Sequence, residues 1–425
     1  VVGVLELVSN KTGSLNAMNA AKLEQVLPMF SAAIERVLGD LQNEVRALIQ
    51  KECTAIHPAV EWKFLEAGYE VIGAGKGKHG TLPEIVFPDV YPIFGLSDIR
   101  DSSKHRSQAI KEDLIENLEN AASVLKAIGT YKNMPILDEL RFSIRNERES
   151  IENGLASGAE TSIISFLGKK VNPALKVFAE DEGPLKAIID EYFNSLDKNL
   201  GVVYKKRKAY EESVTEINTR ISDRIEQEEK TAQDIVPHYF EKYKTDGVEY
   251  NAYIGQSILK NMDFHPLYLS NFRLWQLLMM CDIAIDLANY KPRLTHPLDI
   301  AQLILVHSDP LAIRFRQDEK RFDVDGAYNI RYEIVKKRID KAVILGTGER
   351  LTQPGKIAIV YSRNEDVQEY ERYFRYLISE GIIEKNVENL ELEELQGAKG
   401  LRAMRISVNL SKESTAEMDK DILGE

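Results

Sequence analysis

The residues best suited to chemistry in this 425-residue chain form the run Asp98-Ile99-Arg100-Asp101-Ser102-Ser103, with Arg106 one helical turn on. Hydroxyls, free backbone amides at a helix start and nearby guanidinium groups together favour an anion such as phosphate. The same residues admit a plain structural role, with Ser102 or Ser103 capping the helix and Asp101 sitting near its positive end. A second cationic group lies further on: Arg314, Arg316, Lys320 and Arg321, then Arg331, Lys336, Lys337, Arg338 and Lys341. Arg314 and Arg316 share a face if they lie on a strand, and Lys337 and Lys341 share one if they lie on a helix. Convergence of Arg314, Arg316, Lys337 and Lys341 would hold a small anion or an acidic protein segment. The alternative is surface ion pairing with Asp318, Glu319, Asp323, Glu333 and Asp340.

Other chemistries find no support in the pattern. Two distant cysteines, Cys53 and Cys281, and seven scattered histidines give no C-x-x-C, H-x-x-x-H or H-E-x-x-H spacing. A zinc site and a disulfide framework are therefore not expected, and a reducing cytoplasm is the expected home. No nucleophile–base pair or paired carboxylates can be placed together, so no catalytic residue is assigned and no cofactor can be named. His57 lies at helical spacing from Cys53 and Glu61, but Pro58 interrupts that helix. His238, His296 and His307 sit near prolines or strand ends, where structural hydrogen bonds are expected. The Gly/Lys stretch at 73–80 lacks P-loop spacing. Asp323-x-Asp325-Gly326 lacks the later ligands of a calcium loop. A net charge of −12 opposes general nucleic-acid binding. No apolar run reaches the roughly 18–20 residues that cross a bilayer.

The elements that must position these residues follow from periodicity. Residues 1–9 read as a strand without a neighbour, followed by the turn Asn10-Lys11-Thr12-Gly13-Ser14. Leu23, Leu27, Phe30, Ile34, Val37 and Leu41 then recur at spacings of 4, 3, 4, 3, 4, a coiled-coil seam. Val45 and Leu48 continue it after an extra step of four, which locally unwinds a supercoil. Helices are expected from Ser102 to beyond Ile128 and over about 136–156, 161–179, 184–197 and 203–232. An Asp246-Gly247 hairpin, strands at Leu298–Val306, Leu311–Phe315, Lys356–Tyr361, Leu390–Leu392 and Leu401–Val408, and helices at Ile330–Val343 and Asp366–Glu380 complete the pattern. The expected organisation is multidomain, α and α+β. It comprises a terminal strand (1–15), a connecting seam helix (16–57), a mainly α-helical bundle (58–232), an α+β domain with a mixed or antiparallel sheet (233–411) and a polar tail (412–425).

The opening residues Gly3-Val4-Leu5-Glu6-Leu7-Val8, with the helix start Asn19-Ala20-Ala21-Lys22-Leu23-Glu24, resemble the end of a GAF domain. Cys53-Thr54-Ala55-Ile56-His57-Pro58 with Glu61-Trp62, Ser97-Asp98-Ile99-Arg100, and Arg314-Phe315-Arg316 through Asp323-Val324-Asp325-Gly326-Ala327-Tyr328-Asn329 are similar to phrases in long bacterial GAF-domain-containing proteins of uncharacterised function. That resemblance implies a GAF-remnant strand cut from an upstream sensor, with the seam helix as its output. It brings no ligand-binding residue with it. The run from Asp98 also resembles the Asp-Ile-x-Gly-Ser/Thr turn of class III nucleotide cyclases, which implies a metal-holding Asp98 and a triphosphate cradle. Here Asp101 stands in place of the glycine. The expected function is regulatory, relaying a sensor state through the 23–48 helix, with a homodimer through that helix, to a C-terminal anion- or protein-binding module. The competing expectations are a nucleotide- or phosphate-handling enzyme at Asp98–Ser103, and an architectural module without ligand.

Overall fold

Val86–Ile99 forms one 14-residue strand, β1, that carries Pro88 and Pro92. A bulge between Phe87 and Val90 absorbs Pro88, with Asp89 at φ 53°. Proline has no N–H to give a ladder, and a bulge needs none there. Pro92 lies just outside the pairing with the strand on one side, which begins at Ile93. The structure, a computed structural model, describes residues 4–53, 56–74, 81–154, 158–179, 183–326, 330–395 and 400–412.

The second half of β1 is flanked on both sides. Antiparallel β3 (Gly247–Ile254) pairs on one edge and antiparallel β4 (Ile300–Val306) on the other. β2 (Tyr239–Lys244) closes the hairpin beside β3, and β7 (Lys356–Tyr361) runs parallel to β4. β9 (Arg402–Val408) and β8 (Ile383–Glu391) complete the order β2-β3-β1-β4-β7-β9-β8. The first half of β1 pairs instead with β5 (Leu311–Arg316), which carries β6 (Arg321–Asp325). Among the described residues the sheet is thus mixed and nine-stranded.

Period-two geometry divides the core into two faces. Leu303 and Leu305 of β4, with Ala358 and Val360 of β7, face one layer; Ile304, Val306, Ile357 and Ile359 face the other. The first layer is built by the end of α1 (Ala17–Glu52), by α2 (Pro58–Gly73), by β5 and β6, and by α10 (Ile330–Lys336). The second is built by α8 (Lys206–Ile235), α9 (Pro266–Tyr290) and α11 (Asn364–Ser379). A third core lies among α3 (Ser102–Tyr131), α4 (Pro135–Glu152), α5 (Ala159–Phe166), α6 (Asn172–Ala179) and α7 (Pro184–Ser195).

This arrangement corrects the expected boundary at 232/233. β1 lies at the centre of the sheet, so the helical bundle is an insertion between β1 and β2. The α+β unit takes chain from both sides of that insertion. The partners of β1 lie more than 140 residues away along the chain, so nothing local joins it to the later domain. Residues 4–9 carry no strand and are exposed, because no neighbouring strand offers them a ladder. The expected helix over Ile330–Val343 stops at Lys336, and only a 3₁₀ turn follows at Ile339–Lys341. The Gly/Lys stretch from 75 to 80 lies outside the described residues, as do residues 1–3, 327–329 and the tail from 413. Among the described residues no helix is long and apolar enough to cross a membrane.

The seam helix meets the core at one point. Through Leu27, Phe30, Ile34 and Val37 its apolar face is exposed, whereas Val45, Leu48 and Ile49 are buried in the first layer. A Cβ added at Gly68 of α2 would lie 2.7 Å from Val45 Cγ1, so α1 and α2 cross in close contact where the seam steps.

Candidate functional site

The carboxyl end of β1 delivers Asp98 to a corner of the sheet. Asp98 is opposite Gly247 of β3 and Ala301 of β4, so both neighbours fix its backbone. Beyond it, Ile99 N donates to Asp246 O (2.9 Å) and Arg100 N to Asp299 O (2.8 Å). The chain then turns sharply into α3 with Asp101 at φ 53°, ψ 30°, the left-handed region. That is where the cyclase-like turn would carry glycine, and aspartate is among the residues that tolerate it. Asp101 precedes the helix without a side-chain cap, while its carbonyl accepts from Lys104 N and His105 N.

The expected caps are therefore elsewhere. Ser102 Oγ donates to Asp246 Oδ2 (3.0 Å), tying the α3 start to the β2–β3 hairpin. Tyr210 Oη donates to the Ser102 carbonyl (3.1 Å) from α8. Ser103 and Arg106 are exposed on the first turns of α3. Arg100 Nη1 donates to Thr352 O (3.2 Å), and Arg350 Nη2 to Asp340 O (3.0 Å), so both guanidinium groups are held by backbone carbonyls.

Burial pushes the Asp98 carboxyl up to about 6; the neighbouring Asp340 and Asp246 carboxylates add to this, and Arg350 and Arg100 oppose it. Burial, with Asp246 nearby, also pushes the Tyr210 phenol up to about 12, against the pull of Arg106. For Asp101, burial acts upward, but Lys104 and Arg100 outweigh it and hold the carboxyl below its usual range. The corner thus combines a buried carboxyl whose pKa is raised, two further carboxylates and two arginines. Among the described residues no group of three or more His, Cys, Asp or Glu side chains is placed to hold a metal ion.

Asp246, Asp340 and Arg350 were not legible as site residues. Asp246 showed only as a turn residue, and its approach to Asp98 is a matter of strand pairing across the long insertion.

The second group is less convergent. Arg314 and Arg316 do project from one face of β5, and with Phe64, Leu82, Glu84 and Gln317 they line a cleft of about 300 Å³. Arg314 is bound to Glu84 (2.8 Å) and Asp325 (2.9 Å), and Arg316 to Asp318 (3.3 Å). Such solvent-screened pairs add little to stability. Lys337 and Lys341 are exposed, and the helix end at Lys336 removes their shared face. Lys336 instead meets Glu249 (3.5 Å) and Glu333 (3.7 Å).

His57 and His238 sit in packed, structural positions. His57 Nδ1 accepts from Ala59 N (3.3 Å) as the cap of α2. Its Nε2 lies 3.8 Å from Glu229, and His238 Nε2 lies 3.9 Å from the same carboxylate.

Residues 108–221, which run from α3 through the inserted bundle into α8, match the family described as YeeD uncharacterised protein. No curated protein matches the chain. Among solved structures the chain is similar to one titled "Crystal structure of the guanylyl cyclase Cya2". That likeness has 14% identity and a TM-score of 0.26, over 46% of this chain and 80% of that one. A likeness at that level assigns neither fold nor activity.

Proposed function

We propose that this chain is a regulatory module in which the packing of α1 is read at the Asp98 corner, where an anionic ligand or acidic protein segment binds. The observation that carries the reading is a shared core. Val45, Leu48 and Ile49 of α1 pack in the same layer as Phe87, Val90 and Phe94 of β1, and β1 ends at Asp98. From Ile93 to Asp98 β1 is paired on both edges, so a shift of the α1–α2 crossing that reaches Phe94 is carried along this segment to Asp98. Arg100 and Arg350 supply the cationic side of the site.

The test perturbs one end and reads the other. Leu27→Lys with Ile34→Lys alters the seam without touching the buried anchor. The expected result is changed protease sensitivity of the exposed 345–349 segment beside Arg350. Unchanged cleavage there and along α1 would overturn the relay.

One observation favours a second reading, a nucleotide- or phosphate-handling enzyme. Ser102 fixes Asp246 beside the raised Asp98 carboxyl, giving two carboxylates at a helix start. Magnesium-dependent binding of a nucleoside triphosphate, lost in Asp98→Ala, is its signature. Absence of such binding at millimolar nucleotide removes it.

A further inference from the structure

We propose that Asn251 marks a binding site beneath α10 for a neutral, flat ligand edge that carries a hydrogen-bond donor beside an acceptor, as a carboxamide or a nucleobase does. Asn251 is 1% exposed in the middle of β3, opposite Phe94 of β1 and Glu241 of β2. Among the described residues neither its side-chain oxygen nor its side-chain nitrogen has a hydrogen-bond partner. Tyr332 of α10 is 3% exposed, and its hydroxyl is unpartnered too. A buried amide with no partner is rare, because nothing offsets the loss of its hydration.

Strand register places these groups under one cover. Glu249, Asn251 and Tyr253 share a face of β3 by period-two geometry, and Glu241 and Phe94 join it from the neighbouring strands. α10 lies over that face. Its Lys336 Nζ is 3.5 Å from Glu249 and 5.6 Å from the centre of the Phe94 ring. Its Tyr332 and Val335 pack in the same layer as Phe94 and Tyr253. Burial and then Glu333, Glu249 and Glu241 push the Tyr332 hydroxyl well above its usual range, consistent with a position among the carboxylates that bracket Asn251.

The surroundings select the charge of the ligand. Lys336 meets Glu249 and also Glu333 (3.7 Å), and Glu241 accepts from Tyr239 Oη (3.0 Å). The charged groups around Asn251 thus have partners, and the unmatched set is neutral: a carbonyl oxygen, an NH2 group and a phenol. An added anion would face three glutamates, and an added cation would compete with Lys336. A planar amide instead answers a planar edge with two parallel hydrogen bonds, as asparagine does with adenine. The neighbouring rings of Phe94 and Tyr253 suit a flat molecule. Because α10 closes over Asn251, binding needs this seven-residue helix to move off the face. The ligand favours that displaced arrangement, the one in which it can reach both amide atoms.

Side-chain amide NMR on the full chain tests this. Asn251→Leu identifies the Asn251 cross-peak by its loss. Its urea midpoint is expected at or above that of the wild type, since an unpaired amide is gone. Nicotinamide, which carries a carboxamide, and adenine, which carries a nucleobase edge, are titrated separately at millimolar concentration. At least one is expected to shift the Asn251 cross-peak saturably, and the one that does so identifies the ligand class. By saturation transfer its affinity should fall ~10-fold or more in Asn251→Leu. Tyr332→Phe, which keeps the ring, should also weaken it. A cross-peak that neither probe moves, as when ordered water alone meets the amide, overturns the proposal. So does equal affinity in Asn251→Leu, or a lowered urea midpoint, which would show the amide to be satisfied in the free protein.

Discussion

Gly68 and Val45 provide a measurable handle on the α1–α2 crossing. A methyl group at Gly68 would meet Val45 Cγ1 at 2.7 Å, closer than real methyl contacts come, and Val45 is fully buried. Overpacking of this kind costs about 1–3 kcal/mol. Gly68 is inside α2, where glycine to alanine returns up to about 1 kcal/mol of helix propensity. The expected net loss for Gly68→Ala is therefore about 1 kcal/mol. Val45→Ala removes buried methyl groups at about 2 kcal/mol. With both changes, the new methyl stands 3.7 Å from the residue 45 Cβ, an ordinary contact, in space that Cγ1 vacated. The double variant should lose only about 1 kcal/mol where additivity gives about 3, a coupling of about 2 kcal/mol. Urea unfolding followed by Trp62 fluorescence measures this locally, because Trp62 lies on α2 and donates to Ile258 O (2.9 Å). Additivity within about 0.5 kcal/mol would refute the close crossing.

Two pH-dependent predictions follow from burial. The folded chain binds the Asp98 proton more tightly than the unfolded chain, so the resulting stability is present below pH 3.8 and lost as pH rises through about 6. Asp98→Asn should therefore stabilise the fold at pH 7.5 by on the order of 1–2 kcal/mol after allowance for solvent screening, and by much less at pH 4.5. Equal effects at both pH values in urea titrations would contradict the burial argument. His238 behaves in the opposite sense. Burial pushes its imidazole down to about 4, so its contribution is full above pH 6.5 and is lost as pH falls toward 4. Its ring proton shifts in NMR should stay flat from pH 8 to pH 5; a midpoint near 6.5 would show that the ring is solvated.

Local pattern carried much of the architecture. The seam, the helices of the insertion, the Asp246-Gly247 hairpin and β7 at Lys356–Tyr361 each follow from periodicity and turn chemistry within one segment. β1 was obscured because a bulge lets a strand carry Pro88, and nothing local announces a bulge. The same long-range pairing hid half of the candidate site. Asp98 and Arg100 stood out beside a helix start, whereas Asp246 joins them through β1–β3 register and Asp340 and Arg350 through irregular chain beyond α10. The basic run beyond Arg314 misled for a related reason. Its expected convergence needed a helix through Lys341, but the helix ends at Lys336, and carboxylates from Glu84 and Asp325 reach Arg314. A face shared in sequence exists only while the backbone keeps its period.

Hydrogen exchange at the amides of Ile99 and Arg100 tests the central claim most directly. These groups donate to Asp246 O and Asp299 O and hold the end of β1 in place. If α1 is read at the Asp98 corner, Leu27→Lys/Ile34→Lys should change their protection several-fold while leaving the α6–α7 amides of the insertion unaltered. Identical protection at Ile99 and Arg100 in the two proteins, with α1 itself visibly perturbed, would mean that the helix and the corner are uncoupled.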